Sequence, residues 1–332
     1  MEFEGLIAPG YERVGHAIAS CGPGVAVAAF VDRRPVVDAW TADLAADSLV
    51  CTWSSVKPVT GTCLLLLVER GLIGLDDRVA SIWPEIGDDR LLVRHVLTHT
   101  AGRITVPTVD LTDWHATVAA LAAADSDWAP GDVVCEHAQT FGFLVGELVR
   151  RVDGRSLGRF FAEEVAGPLG LDISIGVSDA DLGRVADTVG LDRRWWATLR
   201  GRAGSARHRS LGPWVDVNES SWRQAEIPAV NGHASARGLA SFWQAYLDGR
   251  LPAGVGEPGA TGYDRFVRAR VTWTLSGGRA DGPDVGMGGV GGQWACARPA
   301  DGLAWAFLTS NAGDHDRAEL VEAALIEVVA SR

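Results

Sequence analysis

The stretch TWSSVKPVTGTCLLLLVERG, from Thr52 to Gly71, fixes both a helix and the place where it starts. Its body is apolar over several turns, and Gly71 closes it. A proline is tolerated in an α-helix only within about the first turn, where backbone N–H groups lack partners anyway. Pro58 therefore sets the helix start, and Ser54 falls at the N-terminal end, where the dipole favours negative charge on its oxygen. Three residues further on stands Lys57, the one lysine among 30 basic residues. Arginine stays protonated over the workable pH range, whereas a buried lysine amine can be brought toward neutrality. Residues i and i+3 share a helix face, so Ser54 and Lys57 have the geometry of a hydroxyl nucleophile beside its proton acceptor.

A chain of 332 residues exceeds one average domain and fits either two domains or one large α/β core with a helical insertion. With 47% apolar and 22% charged residues it has the composition of a soluble globular protein. The net charge of −12, without a basic stripe, disfavours nucleic acid and anionic membrane surfaces as partners. The first residues carry two acids and no long apolar core, unlike a signal peptide, and apolar runs such as Cys63 to Val68 are too short to cross a bilayer. Cys21, Cys51, Cys63, Cys135 and Cys296 are odd in number and widely spaced. That pattern argues against a disulfide framework or a zinc site and makes the cytoplasm the expected compartment.

Residues 24–31 and 35–40 read as strands joined at Asp32-Arg33-Arg34, a hairpin. Helical patterns follow at 115–124, 138–152 and 234–248, while 175–230, rich in Arg, Gly and Trp, reads as long loops. Strand character returns at 292–298 and 303–310, and an amphipathic helix spans 316–330. The simplest architecture is α+β: a sheet built from both chain ends (1–90 and 260–332), with a mostly helical subdomain (91–259) inserted and the site between them.

The Ser-x-x-Lys pair alone is a weak signal, but its surroundings are specific. The run TWSSVKPVTGTCLLLLVERGLIGLDDRV, then LLVRHVLTHTAG at 91–102, resembles the serine β-lactamase and penicillin-binding-protein superfamily, most closely the class C β-lactamase-like (family VIII) carboxylesterases. Residues 130–176 and the segment NGHASARGLASFW from 231 extend the likeness. The resemblance implies an antiparallel sheet with flanking helices and an acyl-enzyme on Ser54, with Lys57 in the proton transfer. It implies no metal or organic cofactor and a small-molecule ester or amide as substrate. Where that family carries a tyrosine heading Tyr-x-Asn or Tyr-His-Ala, this chain has Glu136-His137-Ala138. Where it carries a Lys-Thr-Gly, His-x-Gly or Trp-Gly-Gly triplet, this chain has Met287-Gly288-Gly289. The following Val290 is then expected to supply, with Ser54, the backbone N–H groups of an oxyanion hole.

A carboxylate at 136 favours the lysine's ammonium, yet can itself accept a proton, so Glu136 and Lys57 are expected to activate Ser54 as a pair. Met287, Gly288, Gly289, His137, Trp195 and Trp196 are the candidate substrate contacts, although His137, like His99 of LTHTAG, also reads as a packed structural residue. Hydrolysis of a carboxylic ester is the leading expectation. Acyl transfer to an amine or alcohol and a non-catalytic ligand-binding descendant remain as alternatives. β-Lactam hydrolysis is least favoured, because methionine at 287 removes a polar contact for a substrate carboxylate.

Overall fold

The computed structural model describes residues 2–332. Its strands are β1 (Phe3–Ile7), β2 (Val25–Val31), β3 (Arg34–Thr41), β4 (Val50–Cys51), β5 (Ile173–Ile175), β6 (Gly232–Ala234), β7 (Pro258–Asp264), β8 (Ala269–Thr274), β9 (Arg279–Asp281), β10 (Asp284–Gly289), β11 (Gln293–Arg298) and β12 (Leu303–Thr309). Nine of them form one antiparallel sheet in the order β1-β3-β2-β12-β11-β10-β9-β8-β7, and β4-β6-β5 form a small second sheet. The chain ends meet at the β2–β12 pair, in register from Val25–Thr309 to Val31–Leu303. Asp32 and Arg33 turn the β2–β3 hairpin with φ of +49° and +69°, both residues left-handed as a two-residue type I′ turn requires.

Strict alternation along β2 and β12 divides the core in two. Val25, Val27, Val31, Leu303, Trp305 and Phe307 face the terminal helices Glu12–Ser20 and Asp316–Ala330, meeting Val14, Ile18, Val321 and Leu325. Ala26, Ala28, Ala304 and Ala306 point to the other face, and the helix Ala236–Leu247 packs on this alanine surface with Leu239, Phe242 and Trp243. Side chains this small let the helix lie close to the strands.

A single 3₁₀ turn, Trp53–Val56, leads into the α-helix Lys57–Glu69, with Pro58 in its first turn as the sequence requires. This helix is buried against β10 and the helix Thr140–Asp153. Three features differ from the sequence reading. The helix Ala236–Leu247, expected in the 91–259 insertion, belongs by its packing to the sheet. The stretch expected as loops contains the short helices Arg193–Arg200, Ala206–Ser210 and Ser220–Gln224. Strands β1 and β7 to β10 have sequence patterns too rich in glycine, charge or exposed residues to be read as strands. Among the described residues no helix is long and apolar enough to cross a membrane.

Candidate active site

Ser54 sits in the 3₁₀ turn, and the residue before it, Trp53, has a φ of +49°. A bulky residue in the left-handed region is a backbone outlier held by its surroundings, and such strain gathers at functional sites. Trp53 is 2% exposed, and its ring packs on Trp196 with centroids 6.2 Å apart. The next serine, Ser55, donates from Oγ to the carbonyl of Met287 at 2.9 Å, fastening the turn to β10.

The Lys57 Nζ donates to Ser54 Oγ at 2.6 Å and to the Ala229 carbonyl at 3.2 Å, and lies 3.1 Å from Glu136 Oε1. Three acceptors thus surround the one amine. All three side chains are shielded from water, at 7% exposure for Ser54, 0% for Lys57 and 5% for Glu136. Burial pulls the lysine below its ordinary pKa, and the charge and hydrogen bond of Glu136 oppose that pull. The two carboxylate and amine charges are therefore one coupled unit rather than two independent ions.

Two loops hold this unit in place. Asn231, fully buried, accepts from the Ile227 N–H at 2.8 Å and donates to the carbonyls of Trp222 at 2.9 Å and Ala225 at 2.6 Å. That knot fixes the 222–231 segment, from which Ala229 reaches Lys57. The helix Thr140–Asp153 approaches the same segment at Gly142, where any Cβ would fall 2.5 Å from the Ala229 nitrogen. On the Glu136 side, the N–H of Cys135 donates to the His99 carbonyl at 3.1 Å, and the N–H of His137 donates to His99 Nδ1, also at 3.1 Å. His99 Nε2–H is then left to donate to the Gly277 carbonyl at 3.3 Å.

The histidine next to Glu136 has no free nitrogen for a substrate. His137 Nε2 lies 3.2 Å from the Arg103 N–H, which can only donate, so the ring proton is on Nδ1 and goes to the Cys135 carbonyl at 2.8 Å. Burial depresses His137 to about 4 and His99 well below the usual histidine value, so both are neutral. His137 is a packed structural residue and is not a wall of the cavity. Trp195 is likewise outside it, lining a separate surface hollow with Arg194, Arg207 and Asp314.

Ser54 and Glu136 open onto a cavity of about 420 Å³. Of the expected contacts, Met287, Gly288, Gly289, Val290 and Trp196 all line it. β9 pairs with β10 only as far as Gly286, so the Met287–Gly289 edge faces the cavity without a strand partner on that side. Sequence reading missed several participants: Ser55, Ala229 and Asn231 in the framework, and Leu211, Val230, Phe266, Trp294 and Glu322 in the walls. Ala229 acts through a backbone carbonyl, which no motif marks. Ser55 stands beside Ser54 but acts through its contact with β10, and the rest come from segments far from Ser54 in sequence.

Asp284, Cys296 and Glu322 have ligand atoms within 4.8 Å of one another, a spacing that would suit a metal ion. The chemistry does not suit one. Arg298 already bonds Asp284, at 3.2 Å, and burial raises the Cys296 thiol far from the thiolate a metal needs.

A buried Ser-x-x-Lys pair set against the open edge of a large antiparallel sheet, beneath a mostly helical layer, defines the β-lactamase/transpeptidase class of fold. The family model "Beta-lactamase" matches residues 17–330, and the chain belongs to that family. It is 34% identical over 280 residues to the esterase/β-lactamase LipL of Mycobacterium tuberculosis, covering 74% of this chain and 64% of that protein's length. Among solved structures it is similar to a family VIII carboxylesterase (27% identity, TM-score 0.87, 99% of this chain and 100% of the other). It is equally similar to a penicillin-binding-protein homologue from Caulobacter crescentus (27% identity, TM-score 0.86, the same coverages).

Proposed function

We propose that the protein is a serine acyl-transfer enzyme, in the first place a carboxylesterase, that forms an acyl-enzyme on Ser54. The observation that carries this reading is the 2.6 Å contact between Lys57 Nζ and Ser54 Oγ, with Glu136 Oε1 3.1 Å from the same nitrogen and all three groups buried. In the resting state the lysine is an ammonium paired with Glu136. Passing one proton from Nζ to the carboxylate neutralises both charges together, which a dry site permits at low cost because no separated charge is left behind. The freed amine accepts the Ser54 hydroxyl proton as Oγ attacks the ester carbonyl. The tetrahedral oxyanion is held by the N–H groups of Ser54 and Val290, and the proton returns to the leaving alcohol as the intermediate collapses. Water then takes the acyl group by the reverse sequence.

The names of the relatives, an esterase/β-lactamase and a family VIII carboxylesterase, support this reading. The apolar walls, Trp53, Trp196, Leu211, Phe266 and Met287, suit an uncharged acyl group next to the serine. We take the setting to be the cytoplasm, which the five buried, unpaired cysteines support.

Intact mass after mixing with p-nitrophenyl butyrate tests the proposal. An added butyryl mass or a nitrophenol burst in wild type, absent from Ser54→Ala, is expected. Equal nitrophenol release by both proteins would refute it. Millimolar amine or alcohol added to the same assay distinguishes transfer from hydrolysis by the product formed.

A further inference from the structure

The cavity does not end at Ser54. It continues over β10 into a second lobe, between the strand face and the helix Asp316–Ala330, walled by Trp294, His315, Glu319, Glu322 and the Arg279–Asp281 pair. This lobe exists because β10 lacks side chains on that face. A Cβ on Gly288 would stand 3.0 Å from both the Trp294 ring and His315 Nε2, and one on Gly286 would collide with Cys296 at 2.3 Å. Ala318 keeps the helix side of the lobe small as well.

The charges of the lobe are unbalanced. Arg279, its one guanidinium, is taken by Asp281 at 2.7 Å. Among the described residues no cationic side chain pairs with Glu319 or Glu322, and Glu322 Oε1 is buried with no hydrogen-bond partner. Arg298, the nearest guanidinium on β11, is engaged by Asp284 and Asp301. Burial, then the charge of Asp284, raise the Glu322 carboxyl to about 7, with Glu319 adding to the shift and Arg298 opposing it. An arriving cation would relieve this situation, and the indole face of Trp294 offers a second contact for it.

We propose that the second lobe binds a cationic amine on the substrate, with Glu322 as the specificity-determining residue, so that the enzyme favours amine-bearing esters and rejects carboxylate-bearing ones. This rests on the acyl-enzyme reading above and adds the substrate's charge class to it. Three p-nitrophenyl esters of matched chain length test it: 6-aminohexanoate, heptanoate and the half-ester of adipic acid. The readout is the ratio of kcat/KM for each charged ester to that of the neutral one, so effects common to all three cancel. Wild type is expected to favour the amine about tenfold and to disfavour the carboxylate by a similar factor, and Glu322→Gln to bring the amine ratio within about twofold of unity. A wild-type ratio near one, or a preference that survives Glu322→Gln, would overturn the proposal. Binding of hexylammonium against hexanoate to unreacted wild type, followed by tryptophan fluorescence, needs neither variant nor turnover. Selective binding of the ammonium there supports the lobe's role even where no ester is hydrolysed, and equal binding of both ions refutes it.

Discussion

In the proposed mechanism Lys57 carries the chemistry because of what surrounds its amine: the Ser54 hydroxyl, a backbone carbonyl and a carboxylate within 3.2 Å. Replacing it by methionine keeps the volume and removes the proton acceptor, and a fall in acylation rate of at least about 10³-fold is expected in stopped-flow nitrophenol release. Ser55 has a different part. Its hydroxyl holds the Met287 carbonyl at 2.9 Å, and Ser55→Ala should leave Ser54 able to react while loosening the β10 edge. The expected result is a kcat lower by about tenfold with an acyl adduct still visible by mass. Ser54 and Lys57 were legible in the sequence because a three-residue spacing stacks the two side chains whether the turn between them is α or, as here, 3₁₀ leading into the helix Lys57–Glu69. Glu136 was legible only through the register of a known motif. Glu322 was not legible, since it meets the cavity through a packing of the last helix on β10 that no local pattern encodes.

Elements were legible to the extent that their periodicity was clean. The hairpin β2–β3, the strands β11 and β12 and the helices at 57–69, 140–153 and 316–330 have strong apolar patterns and appear where the sequence puts them, within a few residues. Strand β10, Asp284–Gly289, has four glycine or methionine positions in six residues and reads as a turn-rich segment until its neighbours pair with it. The same holds for the 222–231 segment, whose order comes from one side chain. Asn231 satisfies three backbone groups in a buried place, so Asn231→Ala should destabilise the fold by about 2–3 kcal/mol in urea unfolding and lower kcat, because Ala229 shifts relative to Lys57. Equal unfolding midpoints for the two proteins would contradict that role.

For the whole molecule, buried histidines set the response to acid. His137 and His233 are held near 4 by burial, against 6.5 for an unhindered imidazole. The folded protein keeps them neutral while the unfolded chain takes up protons as pH falls below 6.5, so stability is lost between 6.5 and 4. Each histidine accounts for about 3 kcal/mol of that loss. Glu322 acts in the opposite sense: its carboxyl stays protonated in the folded state up to about 7 and contributes stability at low pH that is lost as pH rises through that value. His99, also held well below the usual value by burial, acts in the same sense as His137 and His233. The histidines therefore outweigh Glu322 and leave a net loss, expected as a lower urea midpoint at pH 4.5 than at pH 7, with a smaller difference in His233→Gln. A midpoint independent of pH would contradict it.

In the proposed mechanism Glu136 and Lys57 act as one proton-holding unit. The most direct measurement is the rate of acylation by p-nitrophenyl butyrate against pH, for wild type and Glu136→Gln. Wild type needs the pair to lose one proton, whereas the variant needs Lys57 itself to lose it. The predicted result is a plateau rate lower by about 10²-fold in the variant, with the acid limb moved to higher pH. The same plateau and the same acid limb in both proteins would show that Glu136 takes no part, and Lys57 would have to activate Ser54 alone.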